Sequence, residues 1–114
     1  MPRQPNERRR FGRLPVRMPV VLRGCDAAGR EFFDRAEIVS IDERGARAQT
    51  RFQLQTGAEV TVELPAKDRP RRMRVVWSAE AASFYEGMVG LEFVDADDSW
   101  DLESLRLRWG IRNY

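Results

Sequence analysis

Leu14-Pro15-Val16-Arg17-Met18-Pro19-Val20-Val21-Leu22-Arg23 alternates with a period of two. Leu14, Val16, Met18, Val20 and Leu22 fall on one face, and Arg17, Pro19, Val21 and Arg23 on the other. That pattern belongs to a half-buried strand, because a helix would repeat its apolar face at three and four residues. Pro19 has no N–H to give to a ladder, which predicts an edge strand or a bulge at that point. Directly upstream lies Glu7-Arg8-Arg9-Arg10-Phe11-Gly12-Arg13, and before it residues 1–6 hold two prolines and read as a flexible end. Residues 1–23 carry seven arginines against one acid, a segment charge of +6, while the rest of the chain sums to −4. A basic arm on a mildly acidic body favours an anionic partner at one place on the surface. Lys67 is the only lysine. The chain thus prefers arginine, whose planar fork grips phosphate with two hydrogen bonds and can stack on a ring. By composition alone the arm reads equally well as an anion grip and as a solvated tail.

Downstream, Gly24 to Gly29 has hairpin-turn composition and returns the chain into Arg30–Asp34. Arg35–Ile41 reads as a further strand, with Ala36, Ile38 and Ser40 on one face and Glu37, Val39 and Ile41 on the other. Asp42-Glu43-Arg44-Gly45 is a tight connection in which Gly45 supplies a conformation that a side chain disfavours. Ala46–Thr50 is extended again, and Glu59, Thr61 and Glu63 alternate with Val60, Val62 and Leu64 in the cleanest half-buried strand of the chain. Met73, Val75 and Trp77 alternate with Arg72, Arg74 and Val76, and Val89, Leu91 and Phe93 mark the last strand. On this pattern Trp77 and Phe93 are core residues rather than stacking platforms. Arg69, Arg71, Arg72 and Arg74 form a second basic cluster, read as a solvated strand edge.

The period then changes. Asp95, Asp97, Asp98 and Asp101 crowd the start of a helix expected over about 98–109, where the dipole favours acids. Leu102, Leu105 and Trp109 share one face of it, Arg106 and Arg108 suit its last turn, and Gly110 is a stop. Trp100 and Trp109 are expected to pin it to the body. About six or seven short strands with close turns, then one terminal helix, indicate an all-β fold: a small antiparallel barrel or sandwich forming a single domain over 7–114.

Several function classes drop out. There is no histidine and a single cysteine, Cys25, in 114 residues. That composition leaves no zinc set, no imidazole for acid–base work and no internal disulfide, and it suggests a reducing compartment. No stretch approaches 18 apolar residues, and the Arg-rich start lacks the apolar core of a secretory signal. The expectation is a cytoplasmic, non-enzymatic binding protein without metal or cofactor and without membrane insertion.

The ordered landmarks resemble the PilZ domain family, bacterial receptors for cyclic di-GMP. The family opens with RxxxR before the first barrel strand, and Arg9-Arg10-Phe11-Gly12-Arg13 supplies it. Its (Asp/Asn)-x-Ser-x-x-Gly motif falls on Ser40-Ile41-Asp42-Glu43-Arg44-Gly45, followed by the Val75-Val76-Trp77 and Gly90-Leu91-Glu92-Phe93 strands. The resemblance covers roughly residues 8–107 and implies a split barrel that binds cyclic di-GMP through Arg9, Arg13, Ser40, Asp42 and Gly45, with Arg8, Arg10 and Arg44 nearby. Two positions depart from it: Ser40 stands where the family has Asp or Asn, and Asp42 where it has Ser. A carboxylate at ~5 Å from a phosphate, at an effective dielectric of ~20, costs about 3 kcal/mol, on the order of a hundredfold in affinity. Three readings therefore compete. One is a cyclic di-GMP effector acting on an unidentified protein partner. Another is a degenerate module that binds protein without the nucleotide. The third is a small barrel that binds nucleic acid through the arm and the 69–74 cluster, which the lack of exposed aromatics among the basic residues disfavours.

Overall fold

The alternation at 14–22 continues into one long strand that meets the rest of the barrel on both sides. In the computed structural model, which describes residues 12–26, 28–64, 69–101 and 105, six strands follow in order. They are β1 (Leu14–Cys25), β2 (Glu31–Ile41), β3 (Gly45–Gln49), β4 (Glu59–Glu63), β5 (Arg71–Ser78) and β6 (Met88–Phe93). They pair antiparallel in the order β1-β2-β3-β6-β5-β4 and close, with β4 against β1. Each strand thus has a neighbour on both sides, as closure of a barrel requires. The two short strands expected at 30–34 and 35–41 are one strand, β2, because its inward residues Phe32, Asp34, Ala36 and Ile38 keep a single register against β1.

Pro19 is accommodated without an edge strand. β4 pairs with β1 only at Val21–Gly24, so Pro19 lies outside that ladder while facing Glu37 of β2. The β1–β2 register shifts between Pro15 and Met18, the bulge that a proline-bearing strand invites. Between β1 and β2, Asp26 Oδ1 accepts the N–H groups of Ala28 and Arg30, and Gly29 takes the left-handed conformation at φ 81°.

Met18, Leu22, Ile38, Ile41, Leu54, Val62, Met73, Val75, Val89 and Leu91 fill the interior. Each such side chain contributes roughly 1.5–3 kcal/mol relative to exposure. One inward position of β2 is a carboxylate. Asp34 is buried, and its oxygens accept from Thr50 Oγ1 at 3.2 Å and Arg51 Nε at 2.8 Å, which ties the loop after β3 to the barrel. A buried carboxylate is tolerated when it is paired in this way.

The C-terminal segment differs from expectation at its start. Residues 98–101 are not helical, because the aspartates there cap turns and hold arginines. Asp95 Oδ1 accepts the Asp97 N–H, and Asp98 Oδ1 accepts the Ser99 N–H and a guanidinium N–H of Arg69. Leu105 is buried, with its N–H on the Asp101 carbonyl at 2.9 Å. The rest of the expected helix, with Trp109 and Gly110, lies outside the described residues.

Trp100 does pack on the barrel. Its indole N–H donates to the Gly45 carbonyl at 2.8 Å, its ring meets Phe93 at 5.1 Å, and Arg71 lies over it at 5.3 Å. Arg71 is thereby buried, with Nε on the Ser99 carbonyl. The expected solvated basic edge is instead four paired arginines, one of them buried: Arg69 and the buried Arg71 with Asp98, and Arg72 and Arg74 with Glu59.

Candidate functional site

The register of β1 on β2 brings the arm to the second motif. Leu14 pairs with Ile41, so the residue before β1 lies beside the residue after β2. Arg13 Nη1 donates to Ser40 Oγ at 3.2 Å, and Arg13 Nη2 lies 3.7 Å from Asp42 Oδ2. Ile41 between them is fully buried, although the alternation of β2 assigns it to the face of Glu37 and Val39. A register shift between Ile38 and Ser40 on the β3 side lets Ser40 and Ile41 both be buried in sequence.

Asp42 is first of all a turn residue. Its Oδ1 accepts the N–H groups of Arg44 at 2.8 Å and Gly45 at 2.9 Å, and its own N–H donates to the Gly45 carbonyl at 3.0 Å. With Oδ1 engaged by two donors and Oδ2 facing Arg13, the carboxylate is largely offset where it stands. The repulsion expected against a phosphate is correspondingly weakened. Gly45 serves a different purpose from the one expected. Its φ is not positive; instead a Cβ there would meet the Leu91 carbonyl oxygen at 1.9 Å and Glu92 Cα at 2.8 Å. It is the close approach of β3 to β6 that demands glycine, and the residue supports the site from behind.

Cross-strand pairing then runs a row over four strands. Ser40 pairs with Arg47, Arg47 with Gly90, and Gly90 with Trp77. The β5–β6 register shifts between Val75 and Trp77, so Val76 and Trp77 are both exposed and Trp77 leaves the core face on which its alternation placed it. Its side of the barrel is open because Gly90 has no side chain: a Cβ there would lie 2.2 Å from Trp77 Nε1. The indole rests on that glycine, 37% exposed, with the Arg47 guanidinium 5.6 Å from the ring centroid. Such a cation–π contact contributes about 0.5–1 kcal/mol at an exposed site. Phe93 stays partly buried against the core, as expected.

The result is a groove of about 710 Å³ lined by Arg13, Ser40, Arg47, Trp77, Glu80 and Tyr85 among others. Beside it a smaller recess of about 230 Å³ is lined by Asp42, Arg44 and Glu92, and it shares Arg13, Arg47 and Trp77 with the groove. Three guanidinium groups and a part-exposed indole make this surface suited to a phosphate-bearing ligand with an aromatic base.

The family model for the PilZ domain matches residues 7–106. The chain belongs to the PilZ domain family. No curated protein and no solved structure matches it significantly. In this PilZ domain the structure brings together Arg13, Ser40, Asp42 and Arg44 of the expected site, with Gly45 behind them, whereas Arg8, Arg9 and Arg10 lie outside the described residues. Sequence reading missed Arg47, Trp77, Glu80 and Tyr85. No signal along β5 marked Trp77 as outward-facing, since its exposure depends on the register shift against β6.

Among the described residues no three His, Cys, Asp or Glu side chains gather as a metal site. No helix of the described residues is long and apolar enough to cross a membrane.

Proposed function

We propose that this PilZ domain is a cyclic di-GMP effector of the bacterial cytoplasm, in which the basic arm closes a nucleotide onto the outer face of β2, β3, β6 and β5. The observation that supports this most is Arg13, held by Ser40 and Asp42 at the rim of a groove that also offers Arg47 and the Trp77 ring. Cyclic di-GMP presents two phosphates and two guanines. An arginine fork fits guanine O6 and N7 or a phosphate, and the indole face suits a base. The role is binding rather than catalysis. Coupling to a protein partner would run through the loop after β5, where Tyr85 lines the groove and Phe84 beside it is 93% exposed. That exposed ring is also what favours the second reading, a protein-binding module that works without the nucleotide. The nucleic-acid reading is weakened by the acidic partners of Arg69, Arg72 and Arg74.

Calorimetric titration of the full chain with cyclic di-GMP tests the proposal. Binding is expected to weaken by about 1.5–3 kcal/mol in Arg13→Ala, the range for charge-assisted hydrogen bonds. Its salt dependence should be shallower than that of a short single strand contacting several phosphates. An intact fold with no nucleotide binding would instead favour the protein-binding module.

A further inference from the structure

Two of the carboxylates around the arginines have different freedom, and that difference bears on which base the groove accepts. Asp42 is committed to the turn and to Arg13. Ser40 offers a single hydroxyl, which already accepts from Arg13. Glu80 contributes the only carboxylate among the described residues lining the groove, and this carboxylate has no hydrogen bond or ion pair among them. Its backbone, by contrast, is held in place. The Glu80 carbonyl accepts from Ser83 N–H at 3.1 Å and Ser83 Oγ at 2.6 Å, while Ala79 N–H donates to Met88 O at 2.9 Å and closes the loop onto β6. Glu80 stands three residues beyond Trp77, on a fixed turn at the rim of the same groove.

We infer that Glu80 is the specificity residue of this site, reading the N1–H and N2–H2 donors of a guanine whose face lies on Trp77. The inference rests on the nucleotide-binding reading above. Two parallel donors on a base edge match the two oxygens of one carboxylate, as an arginine fork matches a carboxylate from the other side. Adenine has a lone pair at N1 and no amine at C2, so the same carboxylate would face it without a donor and repel it. Discrimination then comes as much from the wrong base as from the right one. The cationic side of the groove, Arg13 and Arg47, is left for phosphate.

The experiment is a set of titrations of the full chain at one salt concentration with cyclic di-GMP and cyclic di-AMP, for wild type, Glu80→Gln and Glu80→Ala. Wild type should prefer the guanine ligand by about ten- to hundredfold, the discrimination typical of one good bidentate contact to a base. Both variants should lose most of that preference through weaker cyclic di-GMP binding, with cyclic di-AMP binding unchanged or tighter. Their melting temperatures should match wild type, since Glu80 is exposed. Variants that keep the full preference would overturn the role of Glu80 and leave the receptor reading standing, as would a wild type that binds both ligands equally. A wild type that binds neither overturns both.

Discussion

Replacing Asp42 separates its work as a turn cap from its work as a charge. In Asp42→Ala, the N–H groups of Arg44 and Gly45 lose the oxygen they share at 2.8 and 2.9 Å. The Arg44 N–H belongs to an exposed residue and recovers water at little cost. The Gly45 N–H belongs to a buried residue pressed against β6, and an unsatisfied donor there costs about 1–2 kcal/mol. The contact with Arg13, whose side chain is 45% exposed, adds at most ~0.5 kcal/mol after solvent screening. The expected loss is therefore about 1.5–2.5 kcal/mol for Asp42→Ala. It should fall to about 0.5 kcal/mol for Asp42→Asn, whose amide oxygen can still take both N–H groups. At roughly 4 °C per kcal/mol for a domain of this size, the alanine variant should melt about 6–10 °C lower and the asparagine variant about 2 °C lower. Urea denaturation gives the free energies directly. If the asparagine variant loses as much as the alanine variant, the ion pair rather than the cap is the stabilising element. If the alanine variant matches wild type, the turn does not depend on Asp42 at all.

Gly45→Ala should be among the most damaging substitutions. Its Cβ meets backbone atoms that cannot rotate away, so a loss of about 3 kcal/mol or more is expected in denaturation, and a change below ~1 kcal/mol would refute the close-approach argument. Gly90→Ala meets the Trp77 ring instead, a half-exposed side chain that can move, so stability should fall by only ~1 kcal/mol. Trp77 emission should shift to longer wavelength and cyclic di-GMP binding should weaken, whereas an unchanged spectrum would mean the indole does not rest on that glycine. The Glu59 carboxyl is held below its ordinary value of 4.5 by the hydrogen bond and charge of Arg72, with a smaller part from Arg74. Its ionised form is thus favoured in the fold, so the contribution is present above about pH 4.5 and fades as pH falls through the lowered value. Melting curves of wild type and Glu59→Gln should accordingly differ slightly near neutrality and converge in acid, and a gap that widens in acid would contradict the sign.

Much of the barrel was legible in the chain. β1 and β4 announce themselves because period-two alternation follows directly from one face being buried, and each inward residue of Leu14–Leu22 and Val60–Leu64 is where that rule puts it. The nearness of Arg13 to Ser40 and Asp42 was implied by the family resemblance and then produced by the pairing of Leu14 with Ile41. The start of the terminal segment was read wrongly because acids favour a helix N-terminus and turn caps alike. Only the tertiary partners Arg69 and Ser99 show which use Asp98 serves.

What the local pattern could not hold is any property of two strands at once. The β5 bulge exists only relative to β6, so alternation along β5 assigns Trp77 to the core while the ladder turns it outward over Gly90. The demand for glycine at 45 comes from the Leu91 carbonyl, 46 residues away, and the burial of Arg71 comes from Trp100 and the Ser99 carbonyl. Side-chain periodicity records which way a residue faces if its strand is regular. Register shifts and close backbone approaches are set by neighbours far along the chain, and in this protein they decide the face on which the arginines, the indole and Glu80 meet.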